Sequence, residues 1–86
     1  MSKEKPVKIM IIDYGMGNIA SVQNAFTYLG CEAKVTNEPI GLREAHAIVL
    51  PGVGAFGDAM KNLHKLKLID ELNRQVIEKQ KLFLGI

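Results

Sequence analysis

Three stretches of this 86-residue chain place glycines where chemistry is commonly done. The first is Asp13-Tyr14-Gly15-Met16-Gly17-Asn18. Two glycines let the backbone turn sharply and aim N–H groups near the positive end of a following helix, one way to bind an anion. The third glycine of a dinucleotide fingerprint is missing, with Ala20 in its place, and so is the Lys-Ser/Thr ending of a phosphate loop. A plain strand-to-helix turn explains the same residues, and spacing leaves both readings open. The second stretch is Pro51-Gly52-Val53-Gly54-Ala55-Phe56-Gly57-Asp58. Backbone N–H groups held in such a loop can stabilise a developing oxyanion. From spacing alone an ordinary loop fits equally well. The third is Leu82-Phe83-Leu84-Gly85-Ile86, an apolar run ending in Gly-Ile. In a longer chain it would lead into the kind of strand-to-helix elbow that presents a nucleophile above a sheet. A plain core strand is the alternative.

Other candidates are weaker. Asp13 is the one carboxylate placed directly at a strand's C-terminal edge, where it could bind a ligand or simply make a turn. Cys31 follows Gly30 and opens a strand, which favours a small buried core residue. His46 and His64 have no Cys or carboxylate at metal-ligand spacing, so surface or packing roles are expected.

Elements that could position these loops follow from pattern. Val7 to Ile12 is a branched apolar run stopped by Asp13, the signature of a strand buried on both faces. Asn18 sits where a helix cap belongs. Ile19, Val22, Phe26 and Leu29 then recur on one helical face, and Gly30 closes the helix. Glu32 to Thr36 reads as a second strand, Asn37 to Gly41 as a loop, and Leu42 to His46 as one helical turn. Ala47 to Leu50 is a third buried strand. Asp58 is a plausible cap for a helix over Ala59–His64. A second helix is expected over Leu68–Lys79, with Leu68, Ile69, Leu72, Val76 and Ile77 on its buried side. Leu82 to Ile86 starts a fourth strand. Alternating strands and helices imply right-handed crossovers and a mostly parallel α/β sheet.

Composition bounds the function. The chain is 48% hydrophobic, enough for one core and too short for two ordinary domains. Eleven basic and nine acidic residues give a net charge of +2 with no clustered basic face, so no nucleic-acid partner is expected. One cysteine suits a reducing cytoplasm. No apolar run approaches the ~20 residues a membrane span needs.

Taken together, DYGMGN, LPGVGAFGDAM and LFLGI, in this order and spacing, resemble the glutaminase subunits of imidazole glycerol phosphate synthase, class I glutamine amidotransferases of the histidine pathway. The resemblance covers Val7 to Ile86, and PGVGAFGDAM is its most specific part. It implies a flavodoxin-like three-layer sandwich, of which residues 1–86 would be the N-terminal part. It implies hydrolysis of glutamine to glutamate and ammonia by a Cys-His-Glu triad, with no cofactor or metal. It also implies a (βα)8-barrel cyclase as heterodimer partner, toward which Asn18 and its loop would face. By the same resemblance, Gly54 N–H would help hold the oxyanion. The Val53 peptide would flip to join it, and Gly52 would lie along bound glutamine.

The third segment of that family continues into a cysteine followed by Leu-Gly-Met-Gln, and here the sequence stops at Ile86. The triad residues are absent from these 86 residues, so on their own they are expected to be inactive. Two other readings compete. One is a non-catalytic assembly module that self-associates through an unpaired strand edge. The other is a small flavin- or phosphate-binding protein, which the Ser/Thr-poor loop at Gly15–Asn18 disfavours.

Overall fold

The computed structural model describes residues 7–15, 17–52 and 56–86, with side chains omitted from 56–60. Four strands run along it: β1 (Lys8–Ile12), β2 (Glu32–Thr36), β3 (Ala47–Leu50) and β4 (Leu82–Gly85). They form one sheet in the order β2-β1-β3-β4, and every pair is parallel. Parallel neighbours need crossovers, and helices supply them. Helix α1 (Ile19–Tyr28) joins β1 to β2. A 3₁₀ turn over Pro39–Glu44 joins β2 to β3. Helix α2 (Phe56–Lys65) and helix α3 (Leu68–Asn73), the latter running on as a π-helical stretch over Arg74–Glu78, join β3 to β4.

Strand alternation sorts the core into two clusters. Ile9, Ile11 and Val49 point toward α1 and meet Ile19, Val22 and Phe26. Met10, Ile12, Ile48 and Leu50 point the other way and meet Leu42, Leu63 and Leu68, with Ile69, Leu72 and Val76 packed around them. Helices on both faces of a parallel sheet make the three-layer α/β arrangement, consistent with a flavodoxin-like fold.

Several expectations need adjusting. The helical turn after β2 starts earlier than Leu42, at Pro39, because proline is pre-set for a first helical position. Helix α2 begins at Phe56, so Asp58 lies inside its first turn and is not its cap. Leu29 is 72% exposed, because α1 ends before its stripe can carry that position onto the sheet. Ile77 is 69% exposed, while Gln75 is buried in its stead. The π-helical stretch explains this, since an i→i+5 turn rotates the face that a 3.6-residue period would bury. The fourth strand is not a buried one: Leu82, Phe83 and Leu84 are all exposed at the sheet edge.

A polar clamp ties the α3 side together. Glu71 is buried on α3, and its carboxylate accepts from Arg43 Nη2 at 3.2 Å and from Gln75 Nε2 at 2.6 Å. Lys81 Nζ donates to the carbonyls of Leu42 and Arg43 at 3.2 and 2.7 Å. These bonds dock the 3₁₀ turn against α3 and against the chain leading into β4.

Candidate functional site

The loop after β1, the residues leaving β3 and the end of β4 meet at one edge because parallel strands point their C-terminal ends the same way. In open parallel sheets that carboxyl edge is where ligands bind. The loop after β1 arrives at this edge from Asp13. Asp13 N–H donates to the Thr36 carbonyl at 2.8 Å, and its carboxylate accepts from Gly15 N–H at 3.3 Å. The acid is therefore the hinge of a local turn, and it is solvent-exposed. Gly15 and Gly17 adopt positive φ of 87° and 86°, as the two-glycine pattern requires. Asn18 caps α1, accepting from Ser21 N–H at 3.2 Å through Oδ1. Its side chain lies on the exposed surface of the edge.

Pro51 and Gly52 carry the chain out of β3. Gly52 N–H donates to the Ile86 carbonyl at 2.8 Å, and Ile86 N–H donates to the Leu50 carbonyl at 3.0 Å. The ladder between β3 and β4 thus runs one step past both strands. It sets the start of the glycine-rich second stretch directly beside the end of the third. Gly52 has a φ of 70°, a left-handed conformation in which glycine is at ease. Val53 and Gly54, the residues expected to form the oxyanion hole, lie outside the described residues.

Sequence reasoning missed two residues that tie these loops together. Tyr14 is buried, and its hydroxyl donates to the carbonyl of Pro51. Asn62, on α2, donates through Nδ2 to the Tyr14 carbonyl at 2.9 Å. The first loop is therefore bonded to β3 on one side and to α2 on the other. Burial pushes the Tyr14 phenol above its ordinary value of 10.0, which keeps it a donor at neutral pH. The available sequence signal was an aromatic with a polar tip at a strand end, a type that seeks a partner when buried. Beside the loop, Asp13, Asn37, Asn62 and Lys65 line an open cleft of about 340 Å³.

The remaining candidates sit elsewhere. Cys31 lies at the N-terminal end of β2, half-buried against the α1-side cluster, so the edge strand and the sheet end are both wrong for the site. His46 Nδ1 accepts from Lys8 N–H at 2.9 Å, a packing role. His64 is exposed at the end of α2. Among the described residues no group of three His, Cys, Asp or Glu could hold a metal ion, and no helix is long and apolar enough to cross a membrane.

A parallel sheet between two helical layers, with the loop after β1 packed against Pro51 and Gly52 at its carboxyl edge, defines the class of protein: a three-layer α/β domain. No family model matches the chain. Individual relatives do. It is 53% identical over 79 residues to the imidazole glycerol phosphate synthase subunit HisH of Geobacter sulfurreducens, covering 92% of this chain and 37% of that protein. It is 52% identical over 81 residues to the HisH subunit of Aquifex aeolicus, covering 93% and 39%. It is 49% identical over 81 residues to the subunit HisH 2 of Vibrio vulnificus, covering 93% and 38%. The chain is homologous to the N-terminal part of the HisH subunits of imidazole glycerol phosphate synthase. It spans about two-fifths of the length of these curated relatives.

Proposed function

We propose that these residues form the N-terminal part of a glutaminase subunit, which hydrolyses glutamine to glutamate and ammonia and passes ammonia to a (βα)8-barrel cyclase in histidine biosynthesis. One observation carries the reading: the bond from Gly52 N–H to the Ile86 carbonyl. A residue following Ile86 in a longer chain would begin beside the Gly52–Gly54 segment. A nucleophile there would attack an amide carbonyl within reach of the backbone N–H groups of Val53 and Gly54, which would hold the oxyanion. Gly52 would lie along the bound glutamine. A negative intermediate needs donors fixed before it forms, and glycines flanking Val53 allow its peptide to turn inward at low cost. Asn18 would face the cyclase: its oxygen is occupied by the α1 cap, while its exposed amide nitrogen can donate across an interface.

Residues 1–86 by themselves would act as one structural unit and would not turn over glutamine. Their single cysteine, Cys31, is on the far edge strand and at the amino end of the sheet. Losing a triad as a unit removes about 10⁶ in rate. The test is glutamate release by the full-length protein with the cyclase bound, set beside residues 1–86 under the same conditions. Release by the full-length protein alone is the expected result. Glutamine-dependent turnover by the 86-residue chain, or none by the full-length protein, would refute the assignment.

Exposed Leu82 and Leu84 favour a second reading, self-association of this stretch through β4. Sedimentation of residues 1–86 decides it, since a monomer at micromolar concentration removes the case.

A further inference from the structure

Strand β2 has β1 on one side and, among the described residues, no strand on the other. Its ladder fixes which backbone groups face outward. Glu32 N–H donates to the Val7 carbonyl at 2.9 Å, and the Thr36 carbonyl accepts from Asp13 N–H at 2.8 Å. In a parallel ladder every second residue bonds the same neighbour, so Glu32, Lys34 and Thr36 serve β1. The N–H and C=O groups of Ala33 and Val35 therefore point away from the sheet. Such a row is a template for a further strand. One of its groups is already taken: Gln23, half-buried on α1, donates through Nε2 to the Ala33 carbonyl at 3.0 Å. A pairing strand would place its own N–H at that same separation. We propose that the outer edge of β2 is a strand-pairing surface complementary to a second copy of itself, and that Gln23 holds it shut.

The complementarity follows from two-fold symmetry. When two β2 strands meet antiparallel about an axis at Lys34, Ala33 of each copy lies opposite Val35 of the other. Each such pair exchanges both N–H and C=O groups, so the two pairs make four hydrogen bonds. Two of the four end on the Ala33 carbonyls, where the Gln23 amides stand. Displacing both amides costs the bonds they already make, and leaving them in place costs half of the new ladder. The same axis sets Lys34 against Lys34, and like charges directly opposite oppose pairing. Glu32 on the same strand, 4.0 Å from Lys34, offsets part of that repulsion. The side-chain bond from α1 is therefore the specific block, and the lysine pair is a salt-dependent addition to it.

The experiment is Gln23→Met in the full-length protein, because Met keeps the length and helix propensity of Gln and removes the donor. Sedimentation is followed at about 0.5 M salt, where a screening length of about 4 Å quiets the lysine pair. Any association through β4 is common to the variant and the wild type. The variant should self-associate at least about tenfold more tightly than the wild type, the effect of one freed acceptor on each copy. Ala33 and Val35 N–H should exchange freely with solvent in the wild type and become protected in the associated variant. Adding Val35→Pro removes an outward donor and leaves the ladder to β1 intact, so it should restore wild-type sedimentation. Equal association in Gln23→Met and the wild type overturns the proposal. So does an increase that leaves Ala33 and Val35 unprotected, or one that survives Val35→Pro. Should the double variant not fold, protection at Ala33 and Val35 in Gln23→Met decides alone.

Discussion

The two faces of the sheet are finished to different degrees. On the α2/α3 face, nine buried residues from Met10 to Leu68 form a continuous cluster, and Glu71, Arg43 and Lys81 bond its rim. On the α1 face three buried residues suffice, α1 has no fully buried side chain, and the layer thins toward β4. Leu82 is 76% and Leu84 51% exposed there, beside a groove lined by Ile9, Phe26 and Val49. The physical cause is geometric. α1 lies over β1 and β2, whereas Leu63 of α2 and Leu68 of α3 pack in one cluster with Ile48 and Leu50 of β3, and Leu72 and Val76 lie beside Phe83 of β4. The contrast separates where stability is generated from where association would act.

Four substitutions or conditions would break or sharpen that contrast. The largest effect should come from the closed face. Leu68→Ala removes a fully buried side chain and should cost about 3 kcal/mol in urea unfolding. Gly41→Ala should come next, at about 2 kcal/mol. The added Cβ would land on the Thr36 side chain, at the contact between the 3₁₀ turn and the end of β2. A loss on either of these comparable to a surface change would mean the closed face is not the stabilising one.

Acid should act on the same face. The bond from Gln75, and after it the Arg43 and Arg74 guanidinium groups, hold the Glu71 carboxyl below its ordinary 4.5, against the opposing pull of burial. A depressed folded value means the stabilisation is fully present above pH 4.5 and is lost as pH falls through the folded value. Unfolding followed from pH 6 downward should show that loss, and Glu71→Gln should flatten it. An unchanged acid limb in Glu71→Gln would show that other carboxylates control it. The smallest change in stability belongs to the open face: Leu84→Asp should alter unfolding by about 0.5 kcal/mol or less. It should abolish any self-association seen by sedimentation. A large stability loss would show that Leu84 is covered in solution.

Much of the fold was legible because its signals are local. Asn18 before an i, i+3, i+7 stripe specified a cap and a helix, and the cap bond is there. Gly30 at φ 87° ends α1 where a left-handed residue was needed. The strands Glu32–Thr36 and Ala47–Leu50 appear with those limits. Ile77 was misread for a reason of the same kind: a 3.6-residue period was projected through a stretch that winds differently. Leu82–Ile86 was read as a strand correctly, but apolar composition does not say whether a neighbouring layer exists to cover it.

The sequence by itself therefore determined the strands, the helices, the glycine turns and the parallel topology, because each depends on residues within a turn or a crossover of one another. It also carried the resemblance that identifies the relatives. Tertiary structure alone decided which groups meet at the carboxyl edge. Tyr14 and Pro51 are 37 residues apart, and Tyr14 and Asn62 are 48 apart. No periodicity encodes such pairs, because a hydrogen bond between distant residues exists only once the sheet order has brought their strand ends side by side.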